Sequence, residues 1–126
     1  MSKASLPDTT IDALNRARIL GVRAGTEHRY TGVWVVVFDG RIFARSWNDK
    51  LTGWFRAFKK QPCGVIQVGT LEIPVRAKVV RSERIRDAVT AAYREKYSTK
   101  ASKKWVDGFA ERTRLVNTIE FVPVNS

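Results

Sequence analysis

A chain of 126 residues fits a single domain, 1–126 with 1–8 as a flexible lead, and its 23 basic against 12 acidic side chains leave a net charge of +11. That balance favours anionic partners, and the basic residues are spread along the chain with no run longer than two. One cysteine and one histidine exclude an intrachain disulfide and leave no ligand set for a zinc site or a Cys-His nucleophilic pair.

The lone thiol suits a reducing compartment, so a cytoplasmic location is expected. Lys3 stands alone with no apolar stretch behind it, so no signal peptide is expected. No apolar run approaches the ~20 residues of a membrane span. Asp8, Thr9 and Thr10 are candidate caps ahead of Ile11, Leu14 and Ala17, whose three-residue spacing predicts a short helix. Ile19 to Arg23 reads as a strand, and Ala24 to Glu27 as a turn.

The stretch from Arg29 to Val80 organises the rest. Val33 to Phe38 is an unbroken apolar run, Asp39-Gly40 follows, and Arg41 to Ser46 is strand-like again. Asp-Gly tolerates the positive φ angles of a type I′ turn, so this is a hairpin with Phe38 facing Arg41. Alternation then puts Val33, Val35, Val37, Ile42 and Ala44 on one face, with Ser46. Trp34, Val36, Phe38, Arg41, Phe43 and Arg45 share the other. Neither face is clearly polar, so the hairpin should be central.

Trp47 to Gly53 reads as a polar loop, with Thr52 a cap for a short helix that carries Trp54, Phe55 and Phe58 and ends before Pro62. Val65 to Val68 and Leu71 to Val80 are two more strands around Gly69-Thr70, with Pro74 expected at an edge or bulge. Ser82 caps the longest helix, which runs to about Tyr97 with Ile85, Val89 and Tyr93 on its apolar face. Ser98 to Lys104 reads as a cationic loop, Trp105 to Ala110 is ambiguous, and Thr113 to Val124 reads as the last strand. About six antiparallel strands with two or three helices between them suggest a small β-barrel with peripheral helices.

The order of several pieces carries a resemblance. Arg45-Ser46, a polar loop, Trp54-Phe55, Phe58 to Pro62, and the strands Val65–Val68 and Ile73–Val80 together resemble the FMN-binding split-barrel group, which includes pyridoxamine phosphate oxidase-like proteins. They are most similar to its deazaflavin-dependent nitroreductase branch. The longer frame, with Val33 to Val36, Asp39-Gly40, Gly53-Trp54, Ile73-Pro74-Val75 and Ala92 to Tyr97, resembles an uncharacterised bacterial family of that group. The resemblance spans roughly residues 11–124. It implies a six-stranded antiparallel split β-barrel, a homodimer, and FMN or a deazaflavin as cofactor, its phosphate held by basic and hydroxyl side chains near the dimer interface. Carried over by position, Arg29 and Thr31 match the pair entering the first hairpin strand, and Arg45 and Ser46 its exit. Lys50 and Trp54 match the loop and the helix start, and Lys59 the basic residue after the aromatics. Gln61 replaces the usual Asn before Pro62, and the loop from Trp47 lacks the usual Gly-Gly.

The residues alone also suggest an anion site, because Arg45 and Ser46 end a strand, a helix start follows, and Arg29 lies nearby across the hairpin. The competing reading has Arg45 over Trp34 or paired with Asp49. Trp47, Trp54, Phe55 and Phe58 could floor a planar ring, or pack in the core. Tyr93, Lys96 and Tyr97 could reach a ligand, or form a packed helix face. No carboxylate pair stands out, so no catalytic residue is assigned, which a flavin enzyme tolerates because the cofactor carries the chemistry. Three readings follow: a flavin or deazaflavin protein, with a reductase among the activities this would allow; a flavin-free barrel binding another phosphorylated small molecule or anion; and a nucleic-acid binder. The apolar outer face of the hairpin further predicts a homodimer.

Overall fold

The turn at Asp39-Gly40 has φ angles of 54° and 70°, the left-handed pair that a type I′ hairpin needs. It joins strand β2 (Thr31–Phe38) to β3 (Arg41–Arg45), with Phe38 opposite Arg41 as the sequence predicts. The structure, a computed structural model, describes residues 6–25, 29–47 and 53–124. The other strands are β1 (Ile19–Ala24), β4 (Cys63–Val68), β5 (Leu71–Val79) and β6 (Thr118–Pro123). They close in the order β1-β2-β3-β6-β5-β4, every pairing antiparallel. This is the expected six-stranded barrel, and each strand has a hydrogen-bonded neighbour on either side.

Helices α1 (Asp8–Arg16), α2 (Trp54–Lys60), α3 (Glu83–Lys96), α4 (Lys100–Phe109) and α5 (Arg112–Leu115) lie around it. Two of these correct the sequence reading. Residues 100–104 are the first half of α4 and not a loop, because Thr99 caps the helix by accepting a hydrogen bond from the Ser102 amide. Residues 113–117 are not strand; α5 and a turn occupy them, and β6 begins at Thr118. The cap of α2 is Gly53, which makes no side-chain capping bond, whereas the expected cap, Thr52, lies outside the described residues. Pro74 stands where β5 runs past the end of β6, a local edge of the kind expected. It pairs with Val65, and its carbonyl accepts from Val124 just past the end of β6, where a missing N–H costs little.

Two apolar layers result. Val33, Val35, Ile42 and Ala44 turn into the barrel with Leu20, Ile66, Ile119 and Phe121, and Phe55 and Phe58 of α2 close one end. Each of the fully buried large side chains contributes roughly 1.5–3 kcal/mol. The other face of the hairpin, with Val36 and Phe43, packs under Ile85, Val89 and Tyr93 of α3 and Val106 of α4. Trp34 and Phe38 join this second layer at its margin. The chain's own helices therefore cover this face, and no second subunit is needed for it. Among the described residues no helix is long and apolar enough to cross a membrane.

Candidate functional site

Helix α3 is fixed to the hairpin by hydroxyls as well as by packing. The Tyr93 hydroxyl donates to the Trp34 carbonyl at 2.7 Å and accepts from the Arg45 amide at 3.0 Å. The Tyr97 hydroxyl donates to the Arg18 carbonyl at 2.6 Å and accepts from the Val35 amide at 3.1 Å. Burial pushes the Tyr97 phenol up to about 12 and the Tyr93 phenol well above its usual range, so both stay neutral donors. The Lys96 ammonium donates to the Val35 and Leu14 carbonyls at 2.8 and 3.2 Å. Of the two readings of Tyr93, Lys96 and Tyr97, the packed helix face describes these contacts.

Arg45 is 2% exposed. Its guanidinium donates to Thr118 Oγ1 and Thr90 Oγ1 at 2.8 Å, to the Phe109 carbonyl at 2.9 Å and to the Arg86 carbonyl at 3.0 Å. Four of the five N–H groups an arginine carries are thus spent inside the fold, and none of these partners is a carboxylate. Desolvation lowers its pKa to about 10, so it remains charged at neutral pH. The side chain expected to meet a phosphate instead ties β6, α3 and the end of α4 together. The contact over Trp34 does not describe this arrangement, and the other expected partner, Asp49, lies outside the described residues.

The charge nonetheless borders a cleft of about 320 Å³ lined by Gly32, Val33, Trp34, Arg45, Trp47, Trp54, Trp105 and Phe109. All four tryptophans of the sequence are in that lining. Trp34 is held flat by stacking on Tyr97, with ring centroids 4.3 Å apart and planes 3° from parallel. Trp47 lies against Trp105 at 5.2 Å and Phe109 at 5.5 Å, both edge to face. The Arg114 guanidinium sits 3.5 Å from the Trp47 ring centroid, and its Nε donates to the Trp47 carbonyl at 2.9 Å. A Cβ at Gly108 would collide with the Trp47 ring, so that glycine is what lets the indole reach α4. Trp54 enters from the barrel end, near Phe121 at 6.2 Å.

Of the residues named from sequence, the cleft gathers Arg45, Trp47 and Trp54. Ser46 is buried, its amide donating to the Asn117 carbonyl at 3.0 Å. Arg29 and Thr31 are exposed where the chain enters β2, just before Gly32. Lys59 is exposed at the far end of α2, over Phe55 at 5.3 Å, and does not line the cleft. Lys50 lies outside the described residues. Phe55 and Phe58 belong to the barrel core and not to a ring floor. Sequence reasoning missed Trp34, Trp105 and Phe109 as cleft residues. A signal existed in the spacing of Ser102, Trp105, Val106 and Phe109, an i, i+3, i+4, i+7 face, but small and polar neighbours obscured it.

The family described as "Uncharacterized protein conserved in bacteria (DUF2255)" matches residues 9–120. No curated protein matches the chain. Among solved structures, a conserved hypothetical protein from Mycobacterium tuberculosis superposes with a TM-score of 0.62 at 16% identity, over 98% of this chain and 82% of that one. A candidate pyridoxamine 5′-phosphate oxidase of Listeria innocua gives 0.63 at 17% identity, over 94% and 93%. An FAD-binding protein of Mesorhizobium loti gives 0.55 at 12%, over 100% and 94%. At these identities the likeness speaks for a shared split-barrel fold.

Proposed function

The chain belongs to this family of bacterial proteins, and from that premise we propose that it binds a flavin-type cofactor, FMN or a deazaflavin, with the ring system in the tryptophan cleft. The observation that carries the reading is the convergence of all four tryptophans beside a buried arginine whose hydrogen bonds, among the described residues, go to hydroxyls and carbonyls and not to a carboxylate. Aromatic walls suit a planar ring, and a cation in a low-dielectric wall suits an electron-rich ring edge. The names of two neighbours of the same fold, one an FAD-binding protein, support the same class of ligand. A cleft of about 320 Å³ is at the small end of ligand sites, and matches a ring system better than a whole cofactor. The phosphate then lies outside it, toward Arg29 and Thr31 at the start of β2.

A bound flavin or deazaflavin would supply hydride transfer, making the protein an oxidoreductase. The residues of the chain bind and orient. Trp34, Trp47 and Trp105 exclude water from the ring, and Arg45 biases the site toward negative charge. No described lining residue is a carboxylate, lysine or histidine, so proton movement falls to the substrate or solvent.

A second reading, a flavin-free barrel that binds another planar anion, is favoured by one observation. The guanidinium expected on the phosphate is spent on internal bonds. Mass spectrometry of ligands released from native protein separates the two. Titration with FMN and with a deazaflavin, followed by tryptophan fluorescence, checks the first. Strong quenching is expected with one of them; a colourless protein whose emission neither changes sinks the cofactor reading.

A further inference from the structure

Gly32 is the second residue of β2, opposite Gly21 of β1. Glycine within a strand weakens it, because the unfolded chain is freer and no side chain packs. Three local reasons can require one, and the neighbouring glycines show them. Gly25, Gly40 and Gly69 have positive φ. Gly64 faces the Arg23 carbonyl, and Gly108 the Trp47 ring, where a Cβ has no room. Gly21 lies under the Tyr30 ring, 3.4 Å from where its Cβ would be.

None of these holds for Gly32. Its φ is not in the left-handed region. Among the described residues, the one atom a Cβ would meet within 4 Å is the Cγ2 methyl of Ile19, at 3.0 Å. Ile19 is 54% exposed, so that methyl can rotate aside. Among the described residues nothing else takes the space over Gly32, and Gly32 lines the tryptophan cleft.

We propose that Gly32 is the bare floor of the cleft, the position that admits a planar heteroaromatic ring against the β2 backbone and so sets which rings can bind. This rests on the reading of the cleft as a cofactor site. Trp34, two residues on, shares the face of Gly32, and Trp47 lines the same cleft. A ring lying there touches peptide on one side and indoles at its margins. A methyl at position 32 would lift it from the floor, and an isopropyl group would occupy its place.

The test uses Gly32→Ala and Gly32→Val in the full chain, with FMN and riboflavin as probes. Dissociation constants come from tryptophan quenching, and folding from thermal melts. Gly32→Ala should melt at or above the wild-type temperature yet bind both probes at least tenfold more weakly, and Gly32→Val should lose binding further. The fold-loss should be the same for FMN and riboflavin, since the floor meets the ring and not the phosphate. Wild-type protein that binds neither these flavins nor a deazaflavin overturns the cofactor reading and this proposal with it. Wild-type protein that binds both, with a folded Gly32→Val that binds them equally well, overturns the floor alone. A loss confined to FMN also overturns it.

Discussion

Buried Arg45 and half-buried Lys96 are both cations that hold carbonyl groups, but they differ in how they can be tested. Arg45 organises acceptors on β6, α3 and α4 through a planar fork. A lysine cannot reproduce that geometry. Arg45→Lys should cost about 1.5–3 kcal/mol in urea melts, the range for hydrogen bonds to a charged group. It should also loosen the cleft wall at Phe109 and weaken flavin binding. A stability equal to wild type would show that the four bonds contribute nothing net. Lys96 has its pKa lowered from 10.5 to about 8, by desolvation first and then by the nearby Arg18 charge. Between those values the unfolded chain binds more protons than the folded one. Stability should therefore rise with pH across the window from about 8 to 10.5, having been lowest with respect to this group below it. Melting temperature against pH should show that rise in wild type and a flatter profile in Lys96→Met. Identical profiles would remove Lys96 as the cause.

Helix α4 decides whether the cleft exists. Its residues Trp105 and Phe109 form one wall, and its Gly108 receives the Trp47 ring. Gly108→Ala gains helix propensity of about 1 kcal/mol but forces a pinned indole out of contact, an overpacking cost of typically 1–3 kcal/mol. The expected result is a neutral to moderately lower stability with a shifted tryptophan emission maximum and weaker quenching by flavin. Unchanged emission would mean Trp47 does not rest on α4. Helix α3 and the hairpin form one unit through Phe43, which is fully buried beneath them. Phe43→Asp should therefore abolish folding, read by circular dichroism, and not release a folded monomer.

For the whole molecule, the prediction of a homodimer rests on another surface than the outer face of the hairpin. Trp105 at the cleft and Ile19 beside Gly32 are 47% and 54% exposed. A two-fold contact over this rim would use the same patch twice and close the cleft. Light scattering at micromolar concentration should give twice the chain mass, rising in stability with added flavin. A monomer in both conditions rejects it. The net charge of +11 keeps nucleic acid as a competitor, which a gel shift with mixed oligonucleotides at low and high salt decides.

The amino-acid sequence alone determined the hairpin, its turn type, its register and the sorting of its faces. These depend on near neighbours: Asp-Gly allows one turn, and alternation follows from the pleat. The strand count, the cap at Ser82 and the family frame were legible for the same reason. The short range of such rules also explains the errors. Helix α4 sets three lysines, an alanine, a serine, an aspartate and a glycine around Trp105, Val106 and Phe109, and helix becomes evident only where Thr99 caps it and Phe109 meets Trp47. Tertiary structure decided the site. Trp34, Trp47, Trp54 and Trp105 sit on separate elements, and only barrel closure with the docking of α4 brings them to one cleft. It also decided the fate of Arg45. A strand-end arginine reads as a ligand contact, yet the carbonyls of Arg86 and Phe109 lie 41 and 64 residues away in sequence. Burying that guanidinium required acceptors that the fold alone could supply.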